Sequence, residues 1–427
     1  MAVVDRPFLF LLCHVEGLAG PTYWVHHSRM DYLLARRMDN RSLPGQCKLL
    51  LLLSAMAPPF GGLAMHDRRR RICTQTWPAL LWTLFFFLAG HLTAGLYLHR
   101  HHPEWFDPEM TLRLRKLPAR LAEAPGRPLA LALGSSRIAL GFRPLSAMEQ
   151  ISDPARQAVL FNFAMLGAGP VGERIILHRL LQKGIRPKWL FLEVYPPLLT
   201  QRFPFTEEVR MFRRDLYWSD VPILGCLYQR RWETISQIIS QTLTPLLEYR
   251  QAVLEHYLPS AVPPLLKAAC DRSFEKCLPY RLDDFGWVEY DIHDDGSYIE
   301  RARRFTKPLF DHFCIDTVSD RALRDLLAEG RQYNIQVVFL LMPDHSVVRS
   351  WYASIQGQFL PYLRRLSVEH QAPIVDARTW QPDEDIPDCA HLSPKGARAF
   401  SERFGRDVYR PLLEGQPLPQ EVLLQEP

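Results

Sequence analysis

The chain of 427 residues is 47% hydrophobic and 23% charged, which excludes a protein dominated by disorder and allows one large or two ordinary domains. Its formal net charge of +5 comes from scattered arginines, so we expect no nucleic-acid partner. The eight cysteines include no Cys-x-x-Cys pair and therefore predict no zinc site.

The first 64 residues have neither a helical nor a strand period, and their leucine run, Leu49–Leu53, is too short to cross a bilayer. After Met65, the arginine cluster Arg68–Arg71 precedes a long apolar segment, which is how a signal or signal anchor begins. We therefore expect residues 1–64 to be an unstructured or spurious extension ahead of a start at Met65.

The segment Trp77–Leu98 has no formally charged residue and is long enough to cross about 30 Å of hydrocarbon as a helix. The arginines before it favour a cytoplasmic N-terminus, which places the rest of the chain outside the cytoplasm. A cleavable signal peptide and a buried helix of a soluble domain are the alternatives. We predict a transmembrane signal anchor at 77–98 in a single-pass membrane protein.

Residues 99–127 are predicted to be a juxtamembrane linker with one amphipathic helix near Met110–Ala124. After it, short apolar strands alternate with helices, which indicates a parallel sheet in an α/β domain over 128–414, followed by a tail at 415–427. The predicted strands are Leu129–Leu133, Ala158–Phe161, Trp189–Val194, Gln336–Met342 and Pro373–Val375. The predicted helices between them are Pro170–Lys183, Ser319–Gln332 and Ala353–Glu369.

The alternation breaks at about 199–316, which we interpret as a helical insertion. The loop Asp283–Tyr298 within it is acidic and aromatic. An amphipathic helix is predicted there from the apolar residues Trp232, Ile235, Ile238, Ile239 and Leu243. The insertion has three candidate roles: a lid, a substrate platform or an inert decoration of the fold.

Polar residues follow the first predicted strand where it ends. The apolar run Leu129–Leu133 is typical of a strand buried on both faces, and it stops at Gly134. Ser135, Ser136 and Arg137 come next, at the edge where open α/β sheets bind ligands. A turn or a helix cap is the ordinary role of such serines, so this stretch alone does not predict a nucleophile.

A second polar motif, Asp388-Cys-Ala-His391, follows the last predicted strand. A carboxylate three residues before a histidine can accept the Nδ1 proton and fix the tautomer, which leaves Nε2 to take a proton from a serine hydroxyl. Ser393 as N-cap and Pro394 as first helical residue predict a helix that anchors this loop. Ser136, His391 and Asp388 are therefore candidate nucleophile, base and orienting acid, a set that needs no cofactor.

These two motifs resemble those of the SGNH (GDSL-type) hydrolase superfamily, over about residues 128–411. The family places its nucleophilic serine after a strand in a Gly-Asp-Ser pattern, here Gly134-Ser135-Ser136, and ends on Asp-x-x-His, here Asp388 and His391. The resemblance implies a three-layer, flavodoxin-like parallel sheet and a Ser/His/Asp triad.

The middle motifs of the family match less fully. An asparagine followed five residues later by an oxyanion-hole glycine resembles Asn162 and Gly167, which implies that the N–H groups of Ser136 and Gly167 are oxyanion donors. The family's Gly-x-Asn-Asp has no counterpart, because the strand Trp189–Val194 leads into Tyr195 and two prolines. The third oxyanion donor is therefore unassigned.

Polar side chains at or near the predicted strand ends are candidates for lining a substrate pocket. These candidates are Arg137, Asn162, Glu193, Tyr195, Asp344 and Arg349.

Together with the predicted anchor at 77–98, the resemblance implies a membrane-anchored, extracytoplasmic serine esterase acting on acyl esters, with acetyl esters as the expected class. Such a protein is similar to those that add or remove acetyl groups on cell-surface polysaccharides, so O-acyl transfer remains open and a polysaccharide is an expected partner. The hypothesis from another class is a non-enzymatic component of an envelope assembly whose oxyanion hole has decayed.

Overall fold

The computed structural model describes residues 65–153, 158–200, 216–228, 231–262, 281–290, 292 and 296–425. The predictions for residues 1–64 lie outside this described part of the chain. The chain divides into two units, Met1–Leu96 with Thr242–Leu246, and Tyr97–Gln241 with Leu247–Pro427.

A single long helix, α1, covers Met65–His101. Its segment Trp77–His101 is long and apolar enough to cross a membrane, with a mean hydropathy of 1.7. The large apolar side chains of this segment are mostly exposed, as for Phe86 at 66%, whereas the core helix of a soluble domain would hide them. The helix predicted from the sequence is therefore present, and the anchor and cleavable-signal hypotheses both remain.

A parallel sheet organises the second unit. Its strands are β1 (Leu129–Leu133), β2 (Val159–Asn162), β3 (Trp189–Glu193), β4 (Gln336–Leu341) and β5 (Ile374–Asp376). They are ordered β2-β1-β3-β4-β5 and every neighbouring pair is parallel. This is one of the two common doubly wound orders, and it confirms the predicted α/β class.

Helices precede, connect and follow these strands, and they make up most of the described insertion. Up to β4 they are α2 (Pro108–Glu123), α3 (Ser136–Gly141), α4 (Pro144–Met148), α5 (Pro170–Gln182), α6 (Pro196–Leu199), α7 (Val221–Tyr228), α8 (Arg231–Leu243), α9 (Pro245–Glu248), α10 (Arg250–Tyr257), α11 (Tyr298–Phe305), α12 (Lys307–Asp311) and α13 (Thr317–Gln332). After β4 they are α14 (Ser346–Trp351), α15 (Gln356–His370), α16 (Pro394–Phe404) and α17 (Arg410–Leu413).

The alternation of side chains along β1 divides the core into two layers, one on each face of the sheet. Leu129, Leu131 and Leu133 belong to an apolar cluster that includes side chains of α5, α13 and α15. Ala130 and Ala132 belong to a second cluster, with side chains of α3 and α16. Helices therefore cover both faces of the sheet.

The segments before and after the predicted domain pack on the sheet. Helix α2, in the predicted linker, buries Met110 and Leu117 in the same cluster as the leucines of β1. Near the C-terminus, the Leu424 N–H donates to the Ile374 carbonyl at 3.0 Å, so the predicted tail pairs with β5. Both segments belong to the second unit.

The amphipathic helix predicted in the insertion corresponds to α8. Ile238 is buried on it at 2% exposure, whereas Trp232 at the start of the predicted apolar face is 80% exposed. The helical spacing of apolar residues therefore identified α8 correctly, but only part of its apolar face is buried.

Candidate active site

Ser136, His391 and Asp388 form one hydrogen-bonded line. Ser136 is the first residue of α3, and its Oγ lies 2.7 Å from His391 Nε2. On the other side of the ring, His391 Nδ1 lies 2.6 Å from Asp388 Oδ2. With the Nδ1 proton donated to Asp388, Nε2 is free to accept the hydroxyl proton of Ser136. The structure thus brings together the three residues that the sequence proposed as a triad.

The loop that carries the acid and the base is fixed by its own backbone. Asp388 Oδ1 accepts hydrogen bonds from the Ala390 N–H at 3.0 Å and the His391 N–H at 2.7 Å. Cys389 follows Asp388 and has a φ of 66°. This left-handed conformation turns the chain so that the N–H groups of Ala390 and His391 face the Asp388 carboxylate. Ser393 Oγ then accepts from the Gly396 N–H at 3.1 Å and caps α16, as predicted.

Asp388 is held in its ionised form. Burial alone would raise its pKa, but the charge of His391 and the hydrogen bonds from His391 and Ala390 outweigh burial and hold the pKa below its ordinary value. An ionised carboxylate beside Nδ1 stabilises the imidazolium that forms when His391 takes the serine proton.

The two adjacent serines have different surroundings. Ser135 is the N-cap of α3 and is only 4% exposed. Its N–H and its hydroxyl both donate to Glu193 Oε2, at 2.7 and 2.8 Å, and its Oγ accepts from the Arg137 N–H at 3.2 Å. The Ser135 side chain is therefore buried and hydrogen-bonded inside the domain, whereas Ser136 is partly exposed and faces His391.

Four residues predicted to line a pocket instead form a buried polar cluster, with exposures between 1% and 9%: Arg137, Glu193, Tyr195 and Asp344. Arg137 Nη2 donates to Asp344 Oδ1 at 2.8 Å, and its guanidinium lies 4.1 Å from the centre of the Tyr195 ring. Glu193 Oε1 is 3.8 Å from Arg137 Nε. These groups point at one another, so the structure does not place them on a pocket wall.

Asn162 also differs from its predicted place in the pocket. The residue is fully buried, and its Nδ2 donates to the carbonyls of Ile138 at 2.8 Å and Phe142 at 2.7 Å. Phe142 is the C-cap of α3, and its own N–H donates to the same Ile138 carbonyl at 2.9 Å. The Asn162 amide therefore closes the short helix that begins with Ser136.

Arg349 and Gly167 lie outside the hydrogen-bonded line. The Arg349 side chain is 31% exposed and donates to the carbonyls of Asp344 and, at 3.2 Å, Arg378. Gly167 has a φ of 67°, and a Cβ built on it would meet no atom within 4 Å, so open space lies beside it. No hydrogen bond within the described residues joins Gly167 to Ser136, and its role as an oxyanion donor stays a prediction.

The sequence did not reveal the support that the loop 281–290 gives to α3. Trp287 Nε1 donates to the Leu140 carbonyl at 2.6 Å, and the Val288 N–H donates to the Ala139 carbonyl at 3.0 Å. Gly286 has a φ of 84°, and a Cβ there would lie 2.1 Å from the Asn162 carbonyl oxygen. The adjacent Gly286 and Trp287 were the feature of the sequence that could have drawn attention to this loop. Nothing in the sequence indicates that they contact α3 and Asn162.

The described residues contain no group of three or more His, Cys, Asp or Glu side chains placed to hold a metal ion. Known protein-family models do not match this chain, and the curated proteins contain no significant match to it. The function is therefore argued from the geometry of the site.

Proposed function

We propose that this protein is a membrane-anchored serine esterase of the SGNH type that cleaves acyl esters, with acetyl esters as its substrate class. The observation that carries the proposal is the line of hydrogen bonds from Ser136 Oγ through the His391 ring to Asp388, at 2.7 and 2.6 Å. Nucleophile, base and orienting acid each lie within hydrogen-bond reach of the next, which is the geometric requirement for an activated serine.

In the first half of the reaction, Ser136 Oγ attacks the acyl carbon while its proton passes to His391 Nε2. The tetrahedral intermediate collapses as His391 returns that proton to the leaving alcohol, and an acyl ester remains on Ser136. In the second half, water attacks this ester and gives its proton to His391. The carboxylic acid then leaves as the proton returns to Ser136 Oγ.

The oxyanion needs hydrogen-bond donors within about 3 Å of the position that it will occupy. We assign one to the N–H of Ser136, because the first residues of a helix have no carbonyl acceptor within the helix. Gly167 is the second candidate, since the open space beside it leaves room for a substrate oxygen. The family's asparagine donor has no counterpart, because Tyr195 and two prolines follow the strand there, and the third donor is left unassigned.

The segment Trp77–His101 and the basic cluster Arg68–Arg71 before it support an anchored protein whose site faces outward. The resemblance to proteins that act on acetylated cell-surface polysaccharides makes such a polymer the proposed substrate. The same acyl-enzyme can pass its acyl group to a sugar hydroxyl in place of water. Measuring released acetate against acetylated oligosaccharide in one reaction mixture decides between hydrolysis and transfer.

A fluorophosphonate probe tests the proposal without knowledge of the substrate, because it reacts only with an activated serine. The full chain in detergent should be labelled once, at Ser136, and Ser136→Ala should not be labelled. Ser135→Ala is the matched control and should still react. An unlabelled wild-type protein that is folded would instead favour the non-enzymatic envelope component.

A further inference from the structure

The side chain that follows the proposed nucleophile reaches the loop of the proposed base. Arg137 Nε donates to the Ala390 carbonyl at 3.2 Å, and Ala390 is the residue before His391. The other end of the guanidinium, Nη2, donates to the Pro343 carbonyl and to Asp344 Oδ1, each at 2.8 Å. Pro343 and Asp344 lie on the loop that follows β4. One buried cation therefore joins α3 to two loops that follow other strands.

The surroundings of Arg137 exclude a direct contact with substrate. Its side chain is 5% exposed and its guanidinium lies between Glu193, 3.8 Å away, and Asp344, 2.8 Å away. The Tyr195 ring covers one face of the guanidinium plane at 4.1 Å. A planar group with several fixed donors can satisfy these partners together, whereas a lysine ammonium has one point of charge and no planar face.

The contact between Asp388 and His391 does not depend on Arg137. Asp388 is bonded by the backbone N–H groups of Ala390 and His391 and by the His391 ring, all within its own loop. By contrast, the distance from Ser136 to His391 depends on how α3 sits against that loop. The Arg137 side chain and the Ser136 hydroxyl are the two groups of α3 that hydrogen-bond to the Asp388–His391 loop within the described residues.

We infer that Arg137 is a positioning residue, which sets the separation of Ser136 Oγ and His391 Nε2 by holding α3 against the Ala390 carbonyl. The inference rests on the proposed function and adds a role to a residue that the sequence placed in the substrate pocket. Loss of the guanidinium should slow attack by the serine and leave both substrate affinity and the Asp388–His391 pair unchanged.

The test compares Arg137→Lys, which keeps the charge, and Arg137→Met, which removes it, in the full chain. For each we measure kcat and KM on a simple acetyl ester, and the rate and final extent of fluorophosphonate labelling as a function of pH. We expect kcat and the labelling rate constant to fall about 100-fold, which is the scale of an ångström misplacement of a reacting group. KM, the final extent of labelling and the pH midpoint should stay the same.

The final extent of labelling separates positioning from folding, because a partly unfolded variant would label fewer molecules rather than label all of them slowly. Arg398→Lys, on the exposed face of α16, is the control for an arginine-to-lysine change and should behave as wild type. A raised KM at unchanged kcat would make Arg137 a substrate ligand and overturn the inference, as would wild-type rates in Arg137→Lys. If the wild type itself is not labelled, the proposed function fails first.

Discussion

Ser135 and Glu193 are joined twice, since the N–H and the hydroxyl of the serine both donate to the same carboxylate oxygen, at 2.7 and 2.8 Å. These two residues lie at the ends of neighbouring strands, β1 and β3, so the pair fixes how the chain leaves β1. Because Ser135 is held inward, the next residue, Ser136, meets His391.

The two serines should therefore respond differently to the same substitution. Ser135→Ala removes one buried hydrogen bond and the cap of α3, and should lower the free energy of unfolding by about 1–2 kcal/mol while most activity remains. Thermal or urea unfolding, with ester turnover measured in parallel, checks this. Loss of turnover in Ser135→Ala with normal turnover in Ser136→Ala would show that the nucleophile is Ser135.

Ser136 and His391 should act as one unit. Each single change to alanine is expected to lower kcat about 10⁶-fold. The double variant should be hardly slower than either single variant, because His391 accelerates the reaction only by accepting the proton of Ser136. Asp388→Asn should cost about 10⁴-fold, since the amide favours the wrong tautomer of the ring. Additive losses in the double variant would mean that the two side chains contribute separately.

The ionised Asp388 should stabilise the fold in a pH-dependent way. Its pKa in the folded protein lies below the ordinary value of 3.8, so its stabilising contribution is present above that value and is lost as the pH falls through the folded pKa. The difference in free energy of unfolding between wild type and Asp388→Asn should therefore be larger at neutral pH than near pH 3. Urea unfolding at both values measures it, and a constant difference would refute the prediction.

Gly286, in the loop that supports α3, should be sensitive to substitution by alanine. Gly286→Ala adds a Cβ 2.1 Å from the Asn162 carbonyl oxygen at a positive φ, and should cost about 3 kcal/mol or more. Gly184→Ala is the control: its φ is 77° but open space surrounds the added carbon, so only the backbone cost of about 1–2 kcal/mol is expected. Equal losses in thermal unfolding would show that the close approach to Asn162 is unimportant.

The topology of α1 can be read from reporter fusions. A periplasmic reporter such as alkaline phosphatase, joined after His101, should be active, and a cytoplasmic reporter at the same junction should be inactive. Cleavage of the chain near residue 98 would identify a signal peptide. An active cytoplasmic reporter would reverse the orientation and remove the support for an extracellular substrate.

The sequence predicted both ends of every strand to within one residue, because each strand is a short apolar run that is buried along most of its length, as Leu129–Leu133 is. It also predicted the Asp388–His391 contact, since three residues of chain limit how far apart the two side chains can lie. The order of the motifs assigned Ser136 to the same site, and the parallel sheet places the segments that follow β1 and β5 at the same edge.

The direction of the other polar side chains could not be predicted. Arg137, Glu193 and Asp344 were correctly assigned to strand ends, but whether such a side chain faces a pocket or the interior depends on which charges meet it. The partners of Arg137 come from segments up to 253 positions away in the chain, at Ala390. The support from Trp287 is equally remote, because its acceptor, Leu140, lies 147 positions away.

Both outer strands of the sheet are covered by distant parts of the same chain. At β5, Leu423 bridges Val375 in antiparallel fashion, and at β2 the Asn162 N–H donates to the Phe285 carbonyl at 2.9 Å. Strands with unpaired backbone groups are templates for joining another molecule edge to edge. A chain truncated before Leu423 would expose the edge of β5. We expect such a chain to aggregate through that edge, although the truncation removes none of the catalytic residues.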